Sequence, residues 1–250
     1  MPPTAAPPPR GERPLPTISF VVTALNEQEH VAGTVATIRA AAAGLVGEHE
    51  IILVDDGSTD GTGAVMERLA AADPRLRVIR NPRNLGLGGA YKVGMRAARM
   101  EYVQWVSGDD AEIPENMRNI LRAVGTADIV IPYLVNQRNR PLLRRFTSQL
   151  FVWTVNLLFG LRVHYYNGAV VHRRELIQKV EIVTDSFAYE AEALVKLLRA
   201  GHSYVEVGYE SASYAGVFSY ATRPKNLARV VGTVLRLFWW AHFGAGRRAR

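Results

Sequence analysis

The 250-residue sequence contains no cysteine, which excludes disulfide bonds and metal sites built from thiolates and allows a reducing compartment. Its N-terminus lacks the apolar stretch of a secretory signal, and this absence argues against export. Acidic residues are in the minority, with 23 Asp and Glu against 30 Lys and Arg, a formal net charge of +7 and a sequence pI of about 9.9. Such a balance suits an anionic partner: nucleotide phosphates, an anionic lipid surface or nucleic acid.

Composition divides the chain into three parts. Residues 1–16 hold seven of the 13 prolines and show no apolar periodicity, so we expect a disordered Pro-rich leader. The remainder has the hydrophobic and charged content of an ordinary globular protein, and its length suits one substantial α/β domain, which we place at 17–220. Residues 221–250 are expected to form a basic amphipathic helix and tail, a candidate membrane-associated segment.

Strand and helix patterns alternate along the first half of the chain. Short β-branched runs predict strands at 18–24, 50–56, 76–80, 102–106 and 127–131, and helical spacing predicts helices at 31–43, 62–72 and 90–98. This alternation predicts a Rossmann-like α/β fold: a mostly parallel, doubly wound sheet with helices on both faces. Ligands of such sheets bind beyond the carboxyl ends of the strands.

Acidic clusters follow three of the predicted strands. They are Glu27 and Glu29 after the first, Asp55 and Asp56 after the second, and Asp109, Asp110 and Glu112 after the fourth. A sugar diphosphate repels carboxylates unless a hard cation lies between them, so the cluster after the fourth strand suggests a bridging Mg²⁺ or Mn²⁺. The alternative is that they are solvated turns and helix caps, with Ser58 or Asp60 capping the next helix.

The glycine-rich stretch at 84–91 follows the third predicted strand. It resembles a dinucleotide-binding fingerprint, but after Gly86 and Gly88 the third glycine position is Tyr91, and the stretch does not follow the first strand. We therefore exclude an NAD site and expect Gly86, Gly88 and Gly89 to allow close approach of a ribose or phosphate. A purely conformational role is the alternative.

Two later segments carry apolar residues at helical spacing. In 142–161 they are Leu143, Phe146, Leu150, Trp153, Leu157 and Leu161, for which we favour core packing over a lipid-facing role; the run is too interrupted for a membrane span. Near the C-terminus, an apolar stripe of Leu227, Val230, Val231, Val234, Leu237 and Phe238 opposes Asn226, Arg229, Thr233 and Arg236. With Trp239, Trp240 and a tail containing Arg247, Arg248 and Arg250, this helix suits an in-plane position on an anionic bilayer; docking on the domain is the alternative.

Four motifs together resemble one known family. The strings at 22–27, 54–62 and 84–91 and the acidic residues at 109–112 are similar to those of family 2 glycosyltransferases of the GT-A fold. Within that family the likeness is greatest to polyprenol-phosphate sugar transferases of the dolichol-phosphate mannose synthase type, and it runs from about residue 18 to 220.

The resemblance implies roles for particular residues. Those lining the nucleotide are Thr23, Ala24, Leu25 and Glu27, with Asp55 or Asp56 at the base or ribose. Relatives carry an Asp-x-Asp after the fourth strand; its second aspartate matches Asp110, whereas Gly108 replaces the first. Asp110 and Glu112 are the implied metal ligands, with Asp109 as a substitute.

The lipid phosphate would be held by Arg144 and Ser148, one helical turn apart, and Glu190 would face the donor sugar. Two arginines of the relatives fall at Leu134 and near Ser213, so the clamp on the diphosphate and acceptor is incomplete; Arg138, Arg140 or Arg223 are candidates to compensate.

These observations predict an inverting glycosyltransferase that moves a sugar from a UDP- or GDP-sugar to a polyprenyl phosphate, peripherally at the cytoplasmic membrane face. The acceptor phosphate is already anionic, so positioning by Arg144 and Ser148 would replace a general base. A hydroxyl acceptor would require one, with Asp109 or Glu190 as candidates. The alternatives are a soluble small-molecule or glycan acceptor, a non-catalytic nucleotide-sugar binder, and a nucleic-acid-binding module, which the acidic strand ends argue against.

Overall fold

A computed structural model describes residues 14–136, 142–210 and 224–244. The strands are β1 (Ile18–Ala24), β2 (His49–Asp55), β3 (Leu76–Arg80), β4 (Tyr102–Ser107), β5 (Ile129–Leu134), β6 (Val171–Arg173) and β7 (Tyr204–Tyr209). The helices are α1 (Val31–Ala42), α2 (Thr62–Ala72), α3 (Leu87–Ala97), α4 (Pro114–Ala123), α5 (Leu142–Phe159), α6 (Arg174–Ile177), α7 (Tyr189–Arg199) and α8 (Pro224–Phe243).

The strands form a seven-stranded sheet in the order β3-β2-β1-β4-β6-β5-β7. Among the strands of the described residues, only β6 runs antiparallel, to β4 and β5, whereas the other neighbours pair in parallel. The predicted mostly parallel sheet is confirmed. The sequence patterns did not predict β6 or β7.

Helices cover both faces of the sheet, as predicted. One core layer joins the sheet to α1, α2 and α4 through residues such as Val35, Met66 and Ile120. The other joins it to α3, α5, α7 and α8 through residues such as Tyr91 and Leu194. Strands β1 and β2 are therefore buried on both sides, which explains their nearly continuous apolar sequences.

Several predicted boundaries differ from the structure. Helix α3 begins at Leu87, earlier than predicted, directly after Gly86 at a φ of 81°. Helix α5 ends at Phe159, and the following Gly160 adopts a φ of 67°, a common glycine conformation just past a helix.

Of the predicted leader, residues 1–13 lie outside the described residues, as do Arg138, Arg140, Ser213, Arg223 and the basic tail. Pro16, the last residue of that leader, is buried, and its carbonyl accepts a hydrogen bond from the Gly47 amide.

The two amphipathic helices differ from expectation in which side faces the core. On α5 the core contacts come from Val152, Val155 and Phe159. Four of the residues that we expected in the core are instead exposed: Phe146, Leu150, Trp153 and Leu157. The expectation of core packing for those four was therefore wrong. The physical reason is that α5 is apolar on two sides, and helical spacing alone does not tell which side is buried.

Helix α8 docks on the domain, but not along the whole predicted stripe. Leu237 and Ala241 are buried, whereas Leu227 and Val231 of the predicted stripe are exposed. Thr233, predicted on the polar side, is buried. Its hydroxyl has hydrogen-bonding partners there, because Oγ1 lies 3.1 Å from Thr184 Oγ1 and 2.9 Å from the Arg229 carbonyl.

Gly94 allows α3 to lie close to the sheet. A Cβ at this position would overlap Val21 Cγ1 and lie 3.0 Å from Val54 Cγ2, both in buried strands.

We expect Gly94→Ala to lower the free energy of unfolding by about 1–3 kcal/mol through overpacking, measured by urea denaturation. The control is Gly232→Ala in α8, where an added Cβ meets nothing within 4 Å and higher helix propensity stabilises by roughly 1 kcal/mol. Equal effects of the two substitutions would contradict this account.

Candidate functional site

The carboxyl ends of three parallel strands lie side by side. Ala24 of β1 pairs with Asp55 of β2, and Thr23 of β1 pairs with Ser107 of β4. The loops that follow these strands, at 25–30, 56–61 and 108–113, therefore start at one edge of the sheet. This is the edge at which ligands bind to such sheets.

Two of these loops are bound to each other by side-chain to backbone hydrogen bonds. The Asn26 amide donates to Ser58 Oγ at 3.0 Å, and the Thr59 amide donates to Asn26 Oδ1 at 2.9 Å. The Glu27 amide donates to Thr62 Oγ1 at 2.8 Å. Asn26 adopts a φ of 58°, in the left-handed region that asparagine tolerates better than most residues. Polar residues of the 54–62 motif thus fix the loop after β1.

The residues expected to line a nucleotide differ in accessibility. Thr23 and Ala24 are buried at the end of β1, and Thr23 Oγ1 accepts a hydrogen bond of 2.9 Å from the Trp105 indole. Leu25 is exposed, at 40% of its surface. Glu27 is partly exposed and its carboxylate lies 2.8 Å from His30 Nδ1.

Asp55 and Asp56 are both buried and hydrogen-bonded within the protein. Asp55 accepts from the Ser58 amide at 2.9 Å and from Arg80 Nε at 3.2 Å. Asp56 accepts from Asn81 Nδ2 and the Leu85 amide, each at 2.9 Å, and from the Gly86 amide at 3.0 Å. The Asp56 carboxylate therefore holds the glycine-rich turn before α3 in place.

The glycines of that turn allow close approach of another part of the chain. The Gly88 amide donates to the Asp185 carbonyl at 3.1 Å, and a Cβ on Gly88 would lie 2.9 Å from the Asp185 carbonyl carbon. Lys92 Nζ lies 2.6 Å from Asp185 Oδ1. Asp185 and Lys92 were not singled out in the sequence, and no local signal could have found them because they meet across 93 positions only through the fold.

The loop after β4 directs its acidic side chains in different directions. Asp110 adopts a φ of 52°, its amide donates to Thr34 Oγ1 at 3.0 Å, and its carboxylate lies directly over Gly33 of α1. Gly108, at the position where the family resemblance predicts an aspartate, is enclosed: a Cβ would lie 2.7 Å from Ala24 Cβ and 3.0 Å from the Thr23 carbonyl. The backbone here has no room for a side chain at 108.

Glu112 differs from the other acidic residues of this loop because its carboxylate is largely desolvated and lies near a second carboxylate. Burial and, to a smaller extent, the nearby charge of Asp109 raise the pKa of Glu112 to about 7. A carboxylate that is desolvated beside another carboxylate is well suited to sharing a divalent cation, and Mg²⁺ commonly uses one or two protein carboxylates together with substrate phosphates. Asp109 and Glu112 fit that arrangement; the Asp110 carboxylate, lying over α1, is directed elsewhere.

Within the described residues, no group of three or more His, Asp or Glu side chains could hold a metal ion by itself. The structure brings the three loops to one edge but gives Glu27, Asp56 and Asp110 different partners: His30, the turn before α3, and α1. The metal roles of Asp110 and Glu112 stay predictions.

Glu190 lies in the first turn of α7 and is 2% exposed. Its Oε1 is 2.7 Å from Nε2 of His172, which is fully buried in β6. Burial and the charge of Glu190 raise the pKa of the neighbouring Tyr91 and Tyr189 well above the usual value. Among the described residues, the Glu190 carboxylate therefore lies in a buried polar cluster with His172, Tyr91 and Tyr189.

The predicted acceptor residues both lie on α5. Arg144 and Ser148 are half-buried, and their spacing is one helical turn. Neither residue belongs to the exposed side of α5, which is formed largely by apolar side chains. No helix of the described residues has both the length and the apolar character required to cross a bilayer.

Asp56→Asn tests whether this carboxylate organises the glycine-rich turn. The substitution places an amide donor among groups that already donate, so the Leu85 amide or the Gly86 amide loses its bond to residue 56, although the Gly86 amide keeps a second acceptor, Asn84 Oδ1 at 2.8 Å. We expect faster hydrogen exchange at the Leu85 and Gly86 amides, followed by mass spectrometry, and a loss of about 1–3 kcal/mol in unfolding free energy. Glu67→Gln, which removes an exposed carboxylate from α2, is the control and should leave both unchanged. Unaltered exchange in Asp56→Asn would refute this role.

The pKa of Glu112 predicts a pH dependence of stability for the metal-free protein. The folded chain holds this proton more tightly than the unfolded chain, whose pKa is near 4.5, so stability falls as the pH rises through about 7. In the presence of a chelator, Glu112→Gln should be more stable than wild type at about pH 8 and similar to it at about pH 4, measured by thermal unfolding. Glu115→Gln, which removes an exposed acid paired with Arg122, should show no gain at high pH.

Comparisons with known proteins agree with this arrangement. A family model described as glycosyl transferase family 2 matches residues 19–184. The chain is 30% identical over 209 residues to the polyprenol monophosphomannose synthase of Mycolicibacterium smegmatis, covering 78% of this chain and 77% of that protein. It is 27% identical over 201 residues to the undecaprenyl-phosphate mannosyltransferase of Micrococcus luteus, covering 75% and 80%.

Solved structures share the fold at lower identity. Glucosyl-3-phosphoglycerate synthase from Mycobacterium tuberculosis, in complex with UDP, matches with a TM-score of 0.67 and 20% identity over 89% of this chain and 80% of that one. A mannosyltransferase from Pyrobaculum calidifontis, in complex with GDP-Man and Mn²⁺, gives 0.64 and 18% over 94% and 67%. These neighbours confirm the predicted GT-A fold, and because the family model covers more than half of the sequence, the chain is a glycosyltransferase belonging to glycosyl transferase family 2.

Proposed function

We propose that this glycosyltransferase moves one sugar, with inversion, from a UDP- or GDP-sugar to a polyprenyl phosphate, as a peripheral protein at the cytoplasmic membrane face. The observation that carries the proposal is the alignment of the β2, β1 and β4 ends at one sheet edge. It is supported by relatives that are named as polyprenol-phosphate sugar transferases.

The donor nucleotide would lie across this edge. Leu25, exposed at the end of β1, suits apolar contact with a base, and Glu27 and Asp55 or Asp56 suit the base and ribose groups. Backbone at Gly86 and Gly88 would approach the ribose or phosphates, and Thr23 and Ala24 would form the floor. Since Asp56 accepts three hydrogen bonds from the protein, its contribution would be mainly to hold the turn.

A divalent cation would bind at the loop after β4. Glu112 and Asp109 are the carboxylates whose environment suits it, with Asp110 as a further candidate. When bound, Mg²⁺ or Mn²⁺ would neutralise charge on the departing diphosphate. Solved relatives of the same fold are named in complex with Mn²⁺ or Mg²⁺, which supports a cation here.

An anionic acceptor suits the positions of the remaining residues. A phosphate oxygen needs charge neutralisation and alignment rather than a base, which Arg144 and Ser148 would provide by charge-assisted hydrogen bonds. Glu190, a candidate base for a hydroxyl acceptor, is buried against His172, which disfavours that role. Asp109 is the remaining base candidate if the acceptor is a soluble hydroxyl compound.

The proposal is tested by measuring sugar transfer from UDP- and GDP-sugars to a short-chain, water-soluble polyprenyl phosphate and to the corresponding alcohol. We expect transfer to the phosphate alone, dependent on Mg²⁺ or Mn²⁺ and lost with a chelator. Transfer to the alcohol would indicate hydroxyl-directed chemistry instead. Donor binding by calorimetry without transfer to any acceptor would favour a non-catalytic binder.

Arg144→Ala should weaken use of the phosphate acceptor. Loss of a charge-assisted hydrogen bond of about 1.5–3 kcal/mol corresponds to a roughly 10- to 150-fold lower kcat/KM for the acceptor. The KM for the donor should not change. The matched control is Arg145→Ala, which removes an exposed arginine from the next position of α5 and should change kcat/KM only slightly. Equal losses in the two variants would remove the specific role of Arg144.

A further inference from the structure

We propose that His164, held in place by Glu206, is a further contact for the phosphate of the acceptor and donates a hydrogen bond from its Nε2 to a phosphate oxygen. The inference rests on the proposed function and deepens it, because it adds to the acceptor site a residue that neither the sequence motifs nor the comparisons single out. Its basis is the geometry of the His164 and Glu206 pair and the place of that pair at the carboxyl edge of the sheet.

Glu206 holds His164 by two hydrogen bonds. The His164 backbone amide donates to Glu206 Oε1 at 2.8 Å, and His164 Nδ1 lies 2.7 Å from Glu206 Oε2. An ionised carboxylate only accepts hydrogen bonds, so Nδ1 carries a proton and Nε2 is the ring nitrogen left for another partner. Among the described residues none forms a hydrogen bond with Nε2. The His164 side chain is 44% exposed, whereas that of Glu206 is 12% exposed.

An aromatic side chain fixes the orientation of the imidazole. The ring centroids of Tyr133 and His164 are 5.1 Å apart, and the two rings are inclined by 32°. Tyr133 of β5 pairs with Gly208 of β7, and a Cβ on Gly208 would lie 3.4 Å from the Tyr133 hydroxyl. The imidazole is thus held by Glu206 at one nitrogen and by Tyr133 on one face, so Nε2 points in a defined direction before a ligand arrives.

His164 lies at the same edge of the sheet as the three loops of the candidate site. Strand β6 runs antiparallel to β4 and β5, so the segment that leads into β6 meets the carboxyl ends of those two strands. A Cβ on Gly168 of this segment would lie 2.8 Å from the Pro132 carbonyl oxygen. Tyr133, against which the imidazole packs, is the last residue but one of β5.

The same segment runs back along α5, the helix with the predicted acceptor residues. Asn156 of α5 accepts a hydrogen bond of 2.7 Å from the Tyr166 hydroxyl. The Tyr166 ring lies edge-on to Phe151, with the centroids 6.3 Å apart. Phe151 is about one helical turn after Ser148, so the segment that bears the imidazole passes close to the part of α5 proposed to hold the phosphate.

The order of the strands separates this position from the proposed donor site. The glycine-rich turn follows β3, which lies at one end of the order β3-β2-β1-β4-β6-β5-β7, whereas His164 contacts β5 and β7 at the other end. Strand β5 is two strand spacings from β4, about 10 Å. A sugar and a phosphate group together span that separation, from the loop after β4 to the imidazole. The acceptor phosphate therefore suits His164 better than the donor diphosphate does.

Charge explains why a phosphate needs a donor at this point. The loops after β1, β2 and β4 bring carboxylates to the edge, and they repel an anionic acceptor unless cationic or hydrogen-donating groups face it. A phosphate that reaches Nε2 favours the protonated ring. The ring then donates a charge-assisted hydrogen bond to the phosphate while Nδ1 stays bonded to Glu206.

Kinetics with the water-soluble polyprenyl phosphate test this role. His164→Gln removes the charge, so kcat/KM for the acceptor should fall about 10- to 100-fold while the KM for the donor is unchanged. His164→Arg supplies a positive donor again and should recover most of that loss. The matched control is His202→Gln, which changes the histidine before β7 at the opposite edge of the sheet and should leave both constants unaltered.

Glu206→Gln tests whether the carboxylate positions the ring. The amide oxygen replaces only one of the two carboxylate oxygens, so the His164 ring or its backbone amide loses an acceptor. We expect a smaller loss of acceptor kcat/KM than in His164→Gln, again with an unchanged KM for the donor, and thermal unfolding checks that the fold persists. Equal losses for donor and acceptor would make Glu206 a purely structural residue and overturn its part in the proposal.

Nitrogen NMR of the imidazole rings observes the contact directly, with His164 identified by the signal that His164→Gln lacks. At a pH where the ring is neutral, the proton should be on Nδ1. Adding the polyprenyl phosphate should shift the Nε2 resonance, whereas the corresponding alcohol should not.

Three results would overturn the proposal. They are unchanged acceptor kinetics in His164→Gln, a rise in the KM for the donor alone, and an inactive His164→Arg combined with wild-type transfer to the alcohol, which would make the imidazole a base. Wild-type protein that transfers sugar to neither acceptor would count against the proposed function instead. The Nε2 resonance would then decide by itself whether His164 contacts the phosphate.

Discussion

The parallel pairing of β2, β1 and β4 is the constraint on which the rest of the site depends. Because Ala24 lies beside Asp55 and Thr23 beside Ser107, three loops must begin at the same edge. The loops then fix one another, as when the Asn26 backbone amide donates to Ser58 Oγ. Misplacing β1 by one residue would turn its side chains to the opposite faces and dismantle all three loops together.

The fold was largely predictable because the central strands β1 and β2 are buried on both faces and have nearly continuous apolar sequences. The limits are equally physical. Strand β6 spans three residues, Val171–Arg173, too few for a period to be recognised, and it pairs antiparallel between strands distant in sequence. On α5, Val152 and Trp153 are both apolar neighbours, yet one is buried and the other exposed; only the packing of the other helices decides which.

The sequence predicted where the candidate site lies, but not the directions in which its carboxylates point. The acidic residues after the strands belong to loops that do start at one sheet edge, but the direction of each carboxylate depends on contacts from other elements. Asp110 lies over α1 because Gly33 leaves space for it, and Asp56 meets backbone amides of a turn 29 positions further along the chain. Asp185 carried no recognisable motif, since its contact with the glycine-rich turn uses its main-chain carbonyl.

The enclosure of Gly108 makes positions 24 and 108 interdependent. An aspartate at 108 would press its Cβ against the Ala24 methyl and the Thr23 carbonyl, so a single substitution cannot place an acidic residue there without moving β1. Loss of the Ala24 methyl would relieve only half of the conflict, because the carbonyl is backbone. The two positions are therefore coupled: a side chain at 108 would require both a smaller residue at 24 and a shift of the β1 backbone.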